Sequence, residues 1–133
     1  MMAERERNIV NAADSYVAID LETTGIGAKR ERITEIGMVK VENGAVTDTY
    51  HSLVNPGRPI PEHITELTGI DDDMVKDAPM IQDVIGEVIA FCGTLPVLGH
   101  QIMFDYGFLV QAAVNGKLRF ERSGIDTLKL CRK

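Results

Sequence analysis

Apolar positions dominate Tyr16-Val17-Ala18-Ile19-Asp20-Leu21-Glu22-Thr23-Thr24-Gly25, a strand-like run whose two acids, Asp20 and Glu22, lie two residues apart near its end. The following stretch, residues 25–32, is polar and contains glycine, which predicts a loop. Ile33 to Val41 predicts a second strand, Glu42-Asn43-Gly44 supplies an Asn-Gly hairpin turn, and Ala45 to Val54 returns as a third strand. Asn55-Pro56-Gly57-Arg58-Pro59 breaks the sheet. Pro61 to Leu67 predicts a short helix with proline in its first turn and Gly69 just past its end. Asp71-Asp72-Asp73 caps a further turn from Met74; it lacks EF-hand spacing and is read as a solvated turn. Between Pro79 and Phe91, Ile81, Val84, Ile85, Val88 and Ile89 form a helical stripe closed by Gly93. Leu95 to Leu98 predicts a short buried strand, and Ile102 to Val114 a helix carrying Phe104, Phe108, Leu109 and Ala112 at helical spacing. A hairpin sheet followed by helix–strand crossovers predicts an α/β fold with a mixed sheet and helices on its faces.

Composition narrows the setting. The 133 residues suffice for one domain with its own core, and 44% apolar with 26% charged residues are ordinary values for a globular protein. No apolar run approaches the roughly 18–20 residues that span a bilayer, and Met1 to Arg7 is charged, unlike a signal peptide. Cys92 and Cys131 lack metal-type spacing, so reduced thiols and a cytoplasmic location are expected, with no membrane partner. The net charge of −6, from 14 basic and 20 acidic residues, excludes nucleic-acid binding by bulk positive field. It leaves open binding through bound cations and a few local Lys or Arg side chains.

Candidate chemistry begins with the first strand. Side chains alternate faces along a strand, so Asp20 and Glu22 project together while Ile19 and Leu21 face the other way. Two like charges on a largely buried strand repel each other and resist desolvation, and a divalent, oxygen-seeking cation would resolve the conflict. A third acid, Asp105, falls near the start of a helix; the helix dipole alone is a sufficient account of it at this point.

These residues together resemble a known family. Asp-x-Glu-Thr-Thr-Gly at residues 20–25, Glu35-Ile36-Gly37, and Gly99-His100 followed by Phe104-Asp105 and Phe108-Leu109 resemble the DEDD 3′–5′ exonucleases. Within them the chain is most similar to the proofreading exonuclease domain of bacterial DNA polymerase III of the Gram-positive type. Asn55 to Ile60, Ile64 to Ile70, Asp77-Ala78-Pro79 and Ile125-Asp126-Thr127-Leu128 support it, and the similarity covers roughly residues 15–133, leaving 1–14 as an N-terminal extension. The resemblance implies a ribonuclease H-like fold and metal-dependent hydrolysis at single-stranded DNA 3′ ends, with DNA polymerase III subunits as partners. Two Mg²⁺ or Mn²⁺ ions, about 3.5–4 Å apart in such sites, are the implied cofactors. Asp20 would bridge both ions, Glu22 would bind one and Asp105 would act at the other.

The resemblance also implies substrate contacts. The backbone at Thr23 and Thr24 would meet the terminal nucleotide, although a plain strand-end turn accounts for them equally well. Gly25 suits a positive φ or a close approach of substrate. His100 matches a residue near the terminal base, with packing at a strand end as the other account. Phe104 and Phe108 are read as core before base-stacking platforms, Phe104 remaining the candidate contact. Glu35 is read either as a supporting acid or as a polar residue at a sheet edge, and Asp126 as structural.

One part of the family pattern has no counterpart. Its last motif supplies a His and a fourth Asp some tens of residues beyond Ile125 to Leu128, and neither occurs before Lys133; His51, His63 and His100 do not map onto it. The expectation is a domain shortened at its C-terminal part, lacking its last helix, by proteolysis, by a shortened gene product, or with that helix supplied by a partner. Loss of a general base commonly costs about 10²–10⁴-fold, so impaired activity is expected. Apolar surface left bare by a missing helix makes a homodimer an expectation as well. The alternatives are a 3′–5′ exoribonuclease and a catalytically impaired nucleic-acid-binding or interaction module.

Overall fold

The computed structural model describes residues 14–27, 29–99 and 107–112. Three long strands form first: β1 (Tyr16–Thr23), β2 (Ile33–Glu42) and β3 (Ala45–Leu53). Asn43 and Gly44, both at positive φ (53° and 79°), make the two-residue turn that joins β2 to β3. Such turns match the twist of an antiparallel pair and need residues that tolerate positive φ. A short strand, β4 (Val97–Leu98), joins the other side of β1 in parallel, giving a mixed sheet in the order β3-β2-β1-β4. It is shorter than the apolar run from Leu95 because Pro96 has no N–H to give a ladder; its carbonyl accepts from Val17 N at 2.9 Å.

Helices fill the connection between β3 and β4. α1 (Glu62–Thr68) follows Pro61 and ends at Gly69, whose left-handed conformation (φ 79°) returns its N–H to Thr65 O. In the single turn α2 (Asp72–Val75), Asp71 caps by accepting from Met74 N at 2.9 Å. α3 (Ile81–Cys92) starts two residues after Pro79, because Met80 is extended and bridges to Asn55. The Asp83 carboxylate then accepts from Met80 N at 3.1 Å, satisfying an otherwise open donor at the helix start. Residues 107–112 are also helical, within the span expected from Ile102 to Val114.

The sheet buries one face. Val17, Ile19 and Leu21 of β1 and Ile36 and Met38 of β2 pack against Val84, Ile85, Val88 and Cys92 of α3 and against Phe108, Leu109 and Ala112. Phe108, 3% exposed, is therefore a core residue. Cys92 is buried, its sulfur 4.0 Å from that of Met38. A satellite cluster of Ile60, Ile70 and Val75 packs beside Leu53 at the end of β3. Among the described residues no helix is long and apolar enough to cross a membrane.

Candidate active site

Alternation along β1 sets the site. Val17, Ile19, Leu21 and Thr23 are buried, whereas Asp20 is exposed and Glu22 half-buried on the opposite face. The core face thus fixes the strand's rotation, and the two carboxylates follow from it. Asp20 pairs across the sheet with Gly37 and Glu22 with Glu35, so a third carboxylate joins the same face. Small residues lie next to Asp20: Ala18 and Gly37, with Val39 and Thr49, line an open depression of about 410 Å³ at its side.

Glu35 has a partner that sequence reasoning missed. His51 Nε2 lies 2.6 Å from Glu35 Oε2. A plain two-residue hairpin would place Glu35 across from Ser52 and turn His51 onto the core face. Instead the ladder slips by one residue between Lys40 and Val41, so Glu35 faces Leu53 and His51 faces Gly37 on the carboxylate face. No local signal in the sequence marks that bulge.

The acid cluster is electrostatically unfavourable without a cation. Burial pushes the Glu22 carboxyl above its ordinary value of 4.5, and the charges of Asp20 and then Glu35 push it further. A hard divalent cation fits this donor set, which offers only carboxylate oxygens around excess negative charge. Among the described residues no group of three His, Cys, Asp or Glu side chains is arranged to hold a metal. Asp20 and Glu22 thus stand together as expected, while Asp105, His100 and Phe104 lie outside the described residues.

The loop after β1 is built by its threonines. Thr24 donates its N–H to Arg32 O at 2.8 Å, and its hydroxyl accepts from Arg32 N at 2.9 Å while donating to Glu31 Oε1 at 2.8 Å. The Thr23 hydroxyl donates to Gly25 O at 2.6 Å. Both side chains are buried, at 8% and 2% exposed, so what the geometry displays of them is a strand-end turn. Gly25 corrects one expectation: it does not adopt positive φ. Its lack of a side chain serves Glu31 instead, whose Cγ and Cδ would lie 2.8 Å from any Cβ at that position.

The chain belongs to an exonuclease family, RNase T, whose model matches residues 17–133. It is 41% identical over 117 residues to the PolC-type DNA polymerase III of Caldanaerobacter subterraneus subsp. tengcongensis, covering 88% of this chain. It is also 41% identical over 122 residues to the PolC-type DNA polymerase III of Bacillus subtilis, covering 90% of this chain. The chain spans only 8% of the length of each of these relatives. Product-bound exonuclease I superposes with a TM-score of 0.71 at 14% identity, over 79% of this chain and 26% of that one, and fixes the fold as ribonuclease H-like. Exonuclease X in complex with 5′-overhanging duplex DNA superposes at 0.59 with 30% identity, over 81% of this chain and 55% of that one.

Proposed function

We propose that the chain is a divalent-metal-dependent 3′–5′ exonuclease domain of the DNA polymerase III proofreading type. It would hydrolyse phosphodiesters at single-stranded DNA 3′ ends and release nucleoside monophosphates. The observation that carries this reading is the pairing of Asp20 with Glu22 on the sheet face opposite the core, in a chain of an exonuclease family. DNA as substrate is supported by exonuclease I solved with a dT13 oligonucleotide and exonuclease X solved with duplex DNA.

Asp20, Glu22 and Asp105 would hold two Mg²⁺ or Mn²⁺ ions, which when bound supply water activation and charge neutralisation at phosphorus. The chain's own contribution is positional. β1, packed on its other face against the core, fixes the backbone from which Asp20 and Glu22 project together. The Thr24 hydrogen bonds fix the backbone just beyond Glu22. Thr23, Thr24 and Gly25, with His100 and Phe104, are the residues we assign to the terminal nucleotide.

Matched 5′-labelled DNA and RNA oligonucleotides incubated with Mn²⁺ test the reading. The expected result is slow shortening from the 3′ end of DNA, about 10²–10⁴-fold below a domain that has its general base, and lost together with Mn²⁺ binding in Asp20→Ala. Preferential degradation of RNA would replace the proofreading assignment with an exoribonuclease. Full activity in Asp20→Ala would refute the site.

A further inference from the structure

Among the described residues, a concentrated cationic surface lies at the carboxylate-bearing end of the sheet. Lys29, Arg30 and Arg32 belong to the loop that closes onto Thr24, and Arg58 reaches the same loop from the segment after β3. Thr24 is two residues beyond Glu22, roughly 7 Å along a strand. Arg58 donates from Nη1 to Arg30 O at 2.6 Å. Arg32 donates from Nη1 to the same carbonyl at 3.4 Å and to Glu31 O at 3.1 Å. Two guanidinium groups therefore converge on one peptide carbonyl.

Among the described residues no acid forms an ion pair with them. The ion pairs among the described residues are His51–Glu35 and Lys76–Asp73, and none involves these four cations. Glu31, the acid inside the loop, is turned back toward Thr24 and lies over Gly25. Each anchored guanidinium has five N–H donors and uses a single terminal nitrogen here, which leaves donors for an incoming anion. Converging like charges are costly until an anion arrives, and a planar fork suits phosphate oxygens.

We propose that Lys29, Arg30, Arg32 and Arg58 form a track for the phosphodiester backbone of a single-stranded nucleic acid whose end occupies the Asp20–Glu22 site. The proposal rests on the exonuclease reading for that end and adds where the rest of the strand is held. It also accounts for substrate capture by a chain of net charge −6. The contacts are to backbone phosphates and carry no base preference.

The test is binding of a fluorescein-labelled oligo(dT) in Ca²⁺ buffer, followed by anisotropy between 0.05 and 0.2 M NaCl, conditions set about the range where phosphate contacts dominate. For single strands, each phosphate contact contributes about 0.7 to the slope of log K against log salt. Lys29→Gln with Arg30→Gln should lower that slope by about 1.4 and weaken binding about 25-fold at 0.1 M salt, the slope change taken over one decade. The charge-retaining pair Lys29→Arg with Arg30→Lys should keep the slope; its loss there would mean loop damage and overturn the proposal. An unchanged slope in the Gln pair, or equal displacement of the oligonucleotide by polyglutamate, would also overturn it. Cleavage with Mn²⁺ is scored separately on the same oligonucleotide. Cleavage with an unchanged slope removes the track and leaves the exonuclease reading, and a lowered slope without cleavage does the reverse.

Discussion

Glu22 is where the cost of the site is concentrated. Its carboxyl holds a proton to a higher pH than the ordinary 4.5, because of burial first, then Asp20, then Glu35. In the window above 4.5 the native state therefore binds more protons than the unfolded chain, and stability falls as pH rises through it. Below that window the penalty is absent; above the raised value it is fully present. Glu22→Gln should accordingly raise the thermal midpoint of the metal-free protein at pH 7, with the gain vanishing near pH 4. Melting curves in EDTA across that range check it, and an equal midpoint for both proteins at pH 7 would show that Glu22 carries no such penalty. The alternation that exposes Asp20 and Glu22 was legible in the run from Tyr16, since neighbours one residue apart face opposite ways. The part played by Glu31 at Gly25 was not, because a glycine excused by a packed side chain looks the same in sequence as one needing positive φ.

α3 illustrates how far an element can be read from its own residues. Of the stripe Ile81, Val84, Ile85, Val88 and Ile89, the middle three are buried and Ile81 and Ile89 half-buried, and Gly93 ends the helix with its N–H on Ile89 O at 3.1 Å. Its far edge ties to β3 and β2: Tyr50 of β3 donates to Glu87 Oε1 at 3.1 Å, its ring lies 5.9 Å from that of Phe91, and Lys40 Nζ of β2 sits 4.5 Å over Phe91. Burial and the Glu87 contact push the Tyr50 hydroxyl up to about 12. Ile85, 1% exposed, is at the centre of this layer. Ile85→Ala should lower stability by about 2–5 kcal/mol in urea unfolding, the usual cost of truncating a buried isoleucine. A loss below about 0.5 kcal/mol, the range of surface substitutions, would contradict the packing. The helix start and the length of β4 were less legible. Met80 is held extended by Asn55, a partner 25 residues away, and Pro96 withholds a donor at the position where a strand would otherwise extend.

For the whole molecule, charge and fold oppose each other at one end of the sheet. Carboxylates gather on the exposed face while guanidinium groups gather in the adjoining loops, so a divalent cation and a phosphate chain would each meet an opposite charge. Ligands that bind only the folded state stabilise it by RT ln(1 + [L]/Kd), about 2.7 kcal/mol at a hundredfold excess over Kd. Millimolar Mn²⁺ should therefore raise the thermal midpoint of the wild-type chain and leave that of Asp20→Ala in place. An equal rise in both would place metal binding elsewhere. From the sequence alone came the strand with its paired acids, the Asn43–Gly44 turn, the amphipathic helix and the α/β class. Each depends on spacing or on the φ preference of adjacent residues, which a short window contains. Only the tertiary structure decided that His51 meets Glu35, that Arg58 meets the loop after β1, and that Glu31 folds over Gly25. The first depends on a one-residue slip in the β2–β3 ladder, and the second on a loop 28 residues away. The third depends on how a nine-residue loop closes on Thr24, between Thr23 and Ile33. Such pairings are settled by competition among whole-chain packings, and no local pattern records which one wins.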